Sequence, residues 1–171
     1  MSIFEIGSCE AIILDREATG DLDSRFALFT KRFGKLMAKA KSVRKITSKL
    51  SGHLEPGNLV QARLIEKNGL QVVDALKAAR LKISTANLYY LNLLLAEAEP
   101  DLRLWQELIS GNFSWPNTLK ILGWDPAEVF CQVCEERPPA AFSIQSQEFF
   151  CGGCSLKSGK GELLYLNGIP R

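Results

Sequence analysis

Apolar and polar residues alternate with a period of two through much of the first eighty positions of the chain. In residues 35–41, Leu36, Ala38 and Ala40 alternate with three lysines and Met37. Successive side chains of a β-strand point to opposite faces, so this segment predicts a strand with one apolar and one cationic face. Similar patterns predict four further strands, at residues 10–17, 24–30, 59–67 and 70–75.

Turn signals separate these predicted strands. Thr19-Gly20-Asp21 and Glu55-Pro56-Gly57 interrupt the alternation, and Asn68-Gly69 is a typical two-residue hairpin turn. The connector between the third and fourth strands is long, and no helical pattern alternates with the strands. These features predict a small closed or nearly closed antiparallel barrel, for which the five-stranded OB-fold is the natural candidate.

After residue 84 the apolar residues recur every three or four positions, which is the period of an α-helix. The pattern predicts a helix over residues 85–99, ended by Pro100, and shorter helices over residues 101–110 and 114–122. The first helix carries an apolar stripe that we expect to be core: Leu88, Leu91, Leu95 and Ala98.

Positive charge is concentrated between residues 31 and 49, the cationic segment. It holds eight cations: Lys31, Arg32, Lys35, Lys39, Lys41, Arg44, Lys45 and Lys49. No carboxylate occurs between Asp23 and Glu55. A polyanion binds such a surface because each neutralised phosphate releases condensed counterions, so these residues are the predicted DNA-binding site. Two other interpretations remain, a solvated sheet face and protection of a sheet edge.

Charge and hydropathy bound the class of protein. Residues 1–80 carry a net charge of +5 and residues 81–171 a net charge of −3, which suggests a basic binding module joined to a neutral or acidic one. No stretch approaches the roughly 18 apolar residues of a membrane span, and residues 1–10 lack the features of a signal peptide. We therefore expect a cytoplasmic protein with no membrane partner.

Four of the five cysteines form two Cys-x-x-Cys pairs, Cys131/Cys134 and Cys151/Cys154, with sixteen residues between the pairs. This spacing predicts a four-cysteine zinc site. Four thiolates leave no open coordination position, so one Zn²⁺ would be structural. An empty reduced site and a redox pair are the alternatives. Cys9 is expected to be a small buried residue.

The sequence offers no candidate for catalysis or for a small-molecule substrate. His53-Leu54-Glu55 resembles the His-x-Glu of zinc deaminases, but Pro56 follows at once where those enzymes begin a helix. His53 is therefore predicted to be a loop residue. The aromatics nearest the cationic segment, Phe26, Phe29 and Phe33, could stack bases, but buried core is their expected role.

These observations predict an α+β protein. Its parts are an N-terminal five-stranded antiparallel OB-fold barrel in residues 1–80 and a small α-helical domain in residues 81–171. The second part contains the four-cysteine zinc module of residues 131–154.

The order of motifs resembles a known family, the bacterial recombination-repair mediator RecO. The similar segments are Glu10-Ala-Ile-Ile-Leu, Thr19-Gly20, residues 23–36 and 38–44, Leu50, Leu54-Glu-Pro56, residues 86–91, Leu119-Lys-Ile-Leu-Gly123, Phe142 and the cysteine quartet. The chain resembles a shortened member, since the stretch between Trp105 and Leu119 is brief and seventeen residues follow Cys154.

The resemblance implies a non-catalytic, nucleoid-associated protein of DNA repair and recombination. It implies binding of single-stranded and double-stranded DNA, annealing of complementary strands and assistance in recombinase loading. RecR and single-stranded DNA-binding protein are the implied protein partners. The runner-up is a non-catalytic RNA-binding or ribosome-associated OB-fold and zinc protein, because a groove that binds the backbone accepts either nucleic acid. A protein-interaction adaptor is the third class.

Overall fold

The structure, a computed structural model, describes residues 4–157 and 162–167. Contacts between residues divide the chain into two compact units, Met1–Trp105 and Gln106–Arg171. The predicted division into functional domains, 1–80 and 81–171, stays a prediction.

Five strands dominate the first unit. They are β1 (Phe4–Thr19), β2 (Asp23–Thr30), β3 (Gly34–Ala40), β4 (Asn58–Glu66) and β5 (Leu70–Arg80). The strands follow one another around a ring in the order β1-β2-β3-β5-β4. The long strand β1 serves both neighbours, because residues 4–12 pair with β4 and residues 11–19 pair with β2. The alternation of the sequence thus marked the positions of the five strands.

The prediction of a closed antiparallel barrel is wrong at the pairing of β3 with β5. These two strands run parallel and are joined by a single register pair, Lys39 with Gln71. The reason is parity, because strands that alternate in direction around a ring must be even in number. Five strands leave one parallel pair, so the barrel is mixed and its ladder is not continuous at this seam.

The barrel is filled by the inward-facing half of each alternating pattern. Phe26 and Leu28 of β2, Ala38 of β3 and Leu64 of β4 belong to one buried cluster, together with Ile13 of β1. Phe29 is also buried and lies 6.1 Å, between ring centroids, from Trp105 of the same unit. Phe26 and Phe29 are therefore core residues, as predicted, while Phe33 is half-buried.

Helix α1 (Thr85–Leu94) follows the barrel and begins where the sequence predicts. The Ser84 side chain accepts a hydrogen bond from the Asn87 backbone N–H, which caps the first turn. The predicted continuation to residue 99 is wrong. Ala98 has a φ of +60° and its N–H donates to the Lys35 carbonyl at 2.9 Å, so pairing with β3 replaces the last helical turn.

Helix α2 (Leu102–Ile109) begins at Asp101, whose carboxylate accepts from the backbone N–H groups of Arg103 and Leu104. The second unit then contains α3 (Trp115–Ile121), β6 (Ala141–Ser143), β7 (Glu148–Phe150), α4 (Gly152–Ser155) and β8 (Leu163–Tyr165). The three short strands form one sheet in the order β7-β6-β8. Phe142 lies at the centre of this unit, 5.3 Å from Trp124 and 4.9 Å from Phe149 between ring centroids.

No helix within residues 4–157 or 162–167 is long and apolar enough to cross a membrane.

Gly34 is the glycine where the barrel tolerates least change. Its φ is +71°, and a Cβ placed there would lie 2.3 Å from the Glu99 carbonyl carbon. Gly20 has a similar φ of +58°, but a Cβ there would meet nothing within 4 Å. Substituting Ala at Gly20 would therefore add backbone strain alone, whereas substituting Ala at Gly34 would add backbone strain and steric overlap.

We expect Gly20→Ala to cost about 1 kcal/mol of unfolding free energy, from the left-handed backbone alone. Gly34→Ala should cost about 3 kcal/mol or more, because the 97–99 segment must also move. Urea denaturation of both variants measures the difference. Equal costs would show that residues 97–99 are not held against β3.

Candidate nucleic-acid interface and metal centre

The structure places seven of the eight predicted cations at the surface and covers the eighth. Lys35 is half-buried, and its ammonium donates to the Asn92 carbonyl of α1 at 2.8 Å. Burial lowers the pKa of Lys35, and the nearby Glu97 carboxylate opposes that shift. Its hydrogen bond to α1 therefore makes Lys35 the least available of the eight to an external polyanion.

Three further cations are exposed but have partners. The Lys31 ammonium lies 3.4 Å from the Glu10 carboxylate of the neighbouring strand. The Arg44 guanidinium donates to the carbonyls of Gly20 and Asp21 in the β1–β2 turn. The Arg32 guanidinium lies over the ring of Phe33, 5.1 Å from its centroid. Folding thus brings distant partners to Lys31 and Arg44, whereas the partner of Arg32 is its neighbour in the sequence.

Lys39, Lys41, Lys45 and Lys49 form the remaining set. All four are exposed, and within the described ranges none has a carboxylate at ion-pair distance. Lys39 lies on β3, and the other three lie on the connector between β3 and β4. These four lysines are the cations of the segment for which the described residues show no ion pair, side-chain hydrogen bond or ring contact.

Arg25 is a cation that the sequence analysis did not include. It is exposed on β2 and lies directly opposite Lys39 of β3 in the antiparallel register. The signal was present, because Arg25 falls on the outward side of the β2 alternation, opposite Phe26 and Leu28. Its pairing with Lys39 depends on the register across the β2–β3 hairpin, which the charge count along the chain does not show.

An open pocket of about 320 Å³ lies beside this pair of cations. It is formed by the end of β1, the outer face of β2 and β3, the β4–β5 turn and the start of β5. Its lining includes Thr19, Arg25, Met37, Lys39, Asn68 and Leu70. Asn68 and Gly69 have φ values of +52° and +94°, so a turn lies at the predicted Asn-Gly pair and forms one side of the pocket. The predicted length of two residues is wrong, because Glu66 pairs with Leu70 and three residues connect β4 to β5.

His53 lies in the connector between β3 and β4, as predicted. Its Nδ1 accepts a hydrogen bond from the Lys77 backbone N–H at 3.1 Å, and its carbonyl accepts one from the Asn58 side chain. The imidazole therefore ties the connector to β5. The cysteine cluster contains no histidine among the described residues, so the deaminase motif has no metal site of its own.

The four predicted metal ligands come together in the second unit. The sulfur atoms of Cys131, Cys134, Cys151 and Cys154 all lie within 4.8 Å of one another, and those of Cys134 and Cys151 are 3.9 Å apart. A tetrahedral zinc site with Zn–S bonds of about 2.3 Å has sulfur–sulfur edges of about 3.8 Å. All four cysteines are free, so the cluster has the dimensions and the chemistry to hold a metal ion.

Local backbone structure presents the thiols in pairs. The Glu135 N–H donates to the Cys131 carbonyl at 2.9 Å, and the Ser155 N–H donates to the Cys151 carbonyl at the same distance. Each bond closes one tight turn that carries both cysteines of a Cys-x-x-Cys pair. Strands β6 and β7 connect the two turns and bring them side by side.

The thiols differ in acidity when no cation is among them. Burial alone would raise the pKa of Cys131, but hydrogen bonds from the backbone of Cys134 and Cys151 lower that pKa to about 6. The side-chain hydrogen bond with Cys151, together with burial, raises the pKa of Cys154 to about 12. Four adjacent thiolates repel one another, so a divalent cation is the group that would allow all four to ionise.

Comparison with known proteins finds similarity to one family. Residues 1–81 match the family model described as "Recombination protein O N terminal". A "DNA repair protein RecO" of Cutibacterium acnes is 31% identical over 64 residues, 37% of this chain and 26% of that protein. A "DNA repair protein RecO" of Bifidobacterium adolescentis is 27% identical over 178 aligned positions, 83% of this chain and 71% of that protein. The first match spans about a quarter of its relative's length. Residues 1–81 of the chain are thus similar to the N-terminal part of the RecO family.

Proposed function

We propose that this chain is a non-catalytic protein of DNA repair and recombination that binds single-stranded and double-stranded DNA through the barrel. One observation carries the proposal. Lys39, Lys41, Lys45 and Lys49 are exposed with no carboxylate at ion-pair distance in the described part of the chain, and Arg25 lies opposite Lys39. A phosphate backbone would supply the missing negative charge.

The strand order supports an OB-fold as the framework of this surface. A partly open five-stranded barrel is the OB-fold architecture, and the seam between β3 and β5 makes this ring partly open. OB-folds bind oligonucleotides on the face of strands 2 and 3 and on the loops that follow strands 1 and 4. Arg25 and Lys39 lie on that face.

DNA is preferred to RNA as the ligand because the two relatives above are named DNA repair proteins. Annealing of complementary strands and assistance in recombinase loading extend the proposal, as does contact with RecR and single-stranded DNA-binding protein in the cytoplasm. Neutralisation of phosphate charge allows two strands to approach, and it needs no nucleotide cofactor. The RNA-binding alternative predicts equal or tighter binding of RNA.

For the cysteine cluster we propose one structural Zn²⁺. Cys131, Cys134, Cys151 and Cys154 would hold it, and their four thiolates would leave no position for water. The ion would supply positive charge at the junction of the two tight turns. Its binding free energy would then contribute to the folding of the segment that carries the cysteines.

The interface is tested by the salt dependence of DNA binding. Replacing Lys39 and Lys41 with Gln should weaken binding of single strands of every sequence and lower the salt slope, by about 0.7 for each lost phosphate contact. Filter binding of single-stranded DNA, duplex DNA and RNA across a salt series measures this change.

Lys35→Met is the matched control for that experiment. Lys35 belongs to the same segment of sequence, but its ammonium is bonded to Asn92. The salt slope of a folded Lys35→Met variant should equal that of the unchanged protein. An unchanged slope after loss of Lys39 and Lys41 would move the DNA site elsewhere.

The metal centre is tested by removing one ligand. Cys151→Ser should abolish stoichiometric zinc and expose residues 130–156 to proteolysis, because zinc binding contributes on the order of 10 kcal/mol in isolated zinc modules. Cys9→Ser is the control, since Cys9 is buried in the barrel and should leave the zinc content unchanged. Native mass spectrometry and limited proteolysis give both results. A Cys151→Ser variant that kept one zinc and its protease resistance would refute the assignment.

A further inference from the structure

The pocket beside Arg25 and Lys39 combines two kinds of surface. Met37 and Leu70 are half-buried and supply apolar side-chain atoms, while Arg25 and Lys39 are exposed cations. Arg25 faces Lys39 across the β2–β3 ladder, and Met37 is two positions from Lys39 on the same face of β3. An apolar floor thus adjoins a cationic edge.

A groove that binds only phosphates does not require the apolar surface of Met37 and Leu70. Phosphate contacts require cations and N–H donors. Covering Met37 and Leu70 with an apolar or aromatic group would instead be favourable because it removes their apolar surface from water. A nucleobase is such a group. The thioether of methionine makes favourable contacts with aromatic rings, and an arginine guanidinium stacks on bases.

The pocket also has polar groups at its sides. Asn68 offers an amide from the β4–β5 turn. The Thr19 hydroxyl is buried and makes no hydrogen bond with any described residue. A buried hydroxyl without a partner is destabilising, and rotation about its Cα–Cβ bond would turn it to a ligand.

Size sets how much of a strand can enter. Ligand pockets range from about 300 to 1,000 Å³, so a pocket of about 320 Å³ is at the small end of that range. Its volume suits one nucleotide.

We propose that this pocket holds one unstacked base of a nucleic-acid single strand, with the adjoining phosphate between Arg25 and Lys39. The inference rests on the proposed function and adds to it the part of the strand that is recognised. A base-paired duplex keeps its bases stacked, so only an unpaired strand can fill the pocket. When the bound strand pairs with a complementary strand, its base leaves the pocket to stack in the duplex. Annealing therefore breaks the contact between the base and the pocket.

The test compares two strands of equal length and charge with the full-length protein. One is oligothymidylate, and the other carries abasic residues at every position. Base stacking contributes roughly 1–3 kcal/mol per base, so one base in the pocket should make oligothymidylate bind about 5-fold or more tightly.

Three variants test whether the pocket causes the ratio of the affinity for oligothymidylate to the affinity for the abasic strand. Met37→Ala should bring the ratio towards one while leaving the salt slope unchanged, because it removes the floor and keeps the cations. Lys39→Gln should weaken binding of both strands and lower the salt slope while the ratio persists. Met37→Leu, which conserves volume, should keep the ratio. The unchanged salt slope of Met37→Ala shows that its loss of the ratio is not a failure to fold.

The possible outcomes separate this inference from the proposed function. If neither strand binds the unchanged protein, nucleic-acid binding itself fails, and the inference fails with it. If both bind equally, DNA binding stands and the base site is refuted. A ratio that survives Met37→Ala in a folded variant also refutes it, since the base would then be held elsewhere.

Discussion

The organisation of the barrel follows from the fact that five strands cannot alternate in direction around a ring. One pair must run parallel, and here the chain places that pair at β3 and β5, joined only at Lys39 and Gln71. Antiparallel ladders hold the other four junctions, and β1 contributes to two of them. The weakest junction of the ring is therefore fixed by its topology. The pocket lined by Lys39 and Leu70 lies beside that junction, where backbone pairing between β3 and β5 ends.

The two units differ in what stabilises them. The barrel buries a continuous cluster that includes Phe26, Leu28 and Leu64, and such burial contributes about 25 cal/mol per Å² of apolar surface. The sheet of the second unit consists of strands of three residues each. Strands this short have few cross-strand pairs to stabilise them, so a bound metal ion would add what the small core around Phe142 does not supply.

Sequence patterns gave the strands, the Asn68-Gly69 turn and the cysteine quartet because each depends on residues close together in the chain. The exceptions depend on distant residues. Lys35 is covered by α1, and Ala98 leaves the helical conformation because it pairs with β3. Arg25 lies opposite Lys39 only in the folded register. Periodicity describes one element at a time, so it could not rank eight cations by their availability to a ligand.

Arg44 joins two loops that the sequence separates. Its guanidinium donates to the carbonyls of Gly20 and Asp21, so it links the β3–β4 connector to the turn that carries Thr19. A phosphate is a stronger acceptor for a guanidinium than a neutral carbonyl is. A strand that captured Arg44 would therefore free the turn from the connector, and one wall of the pocket would gain mobility as the ligand became ordered. The turn carbonyls and the phosphates of a bound strand would compete for the same five N–H donors of Arg44.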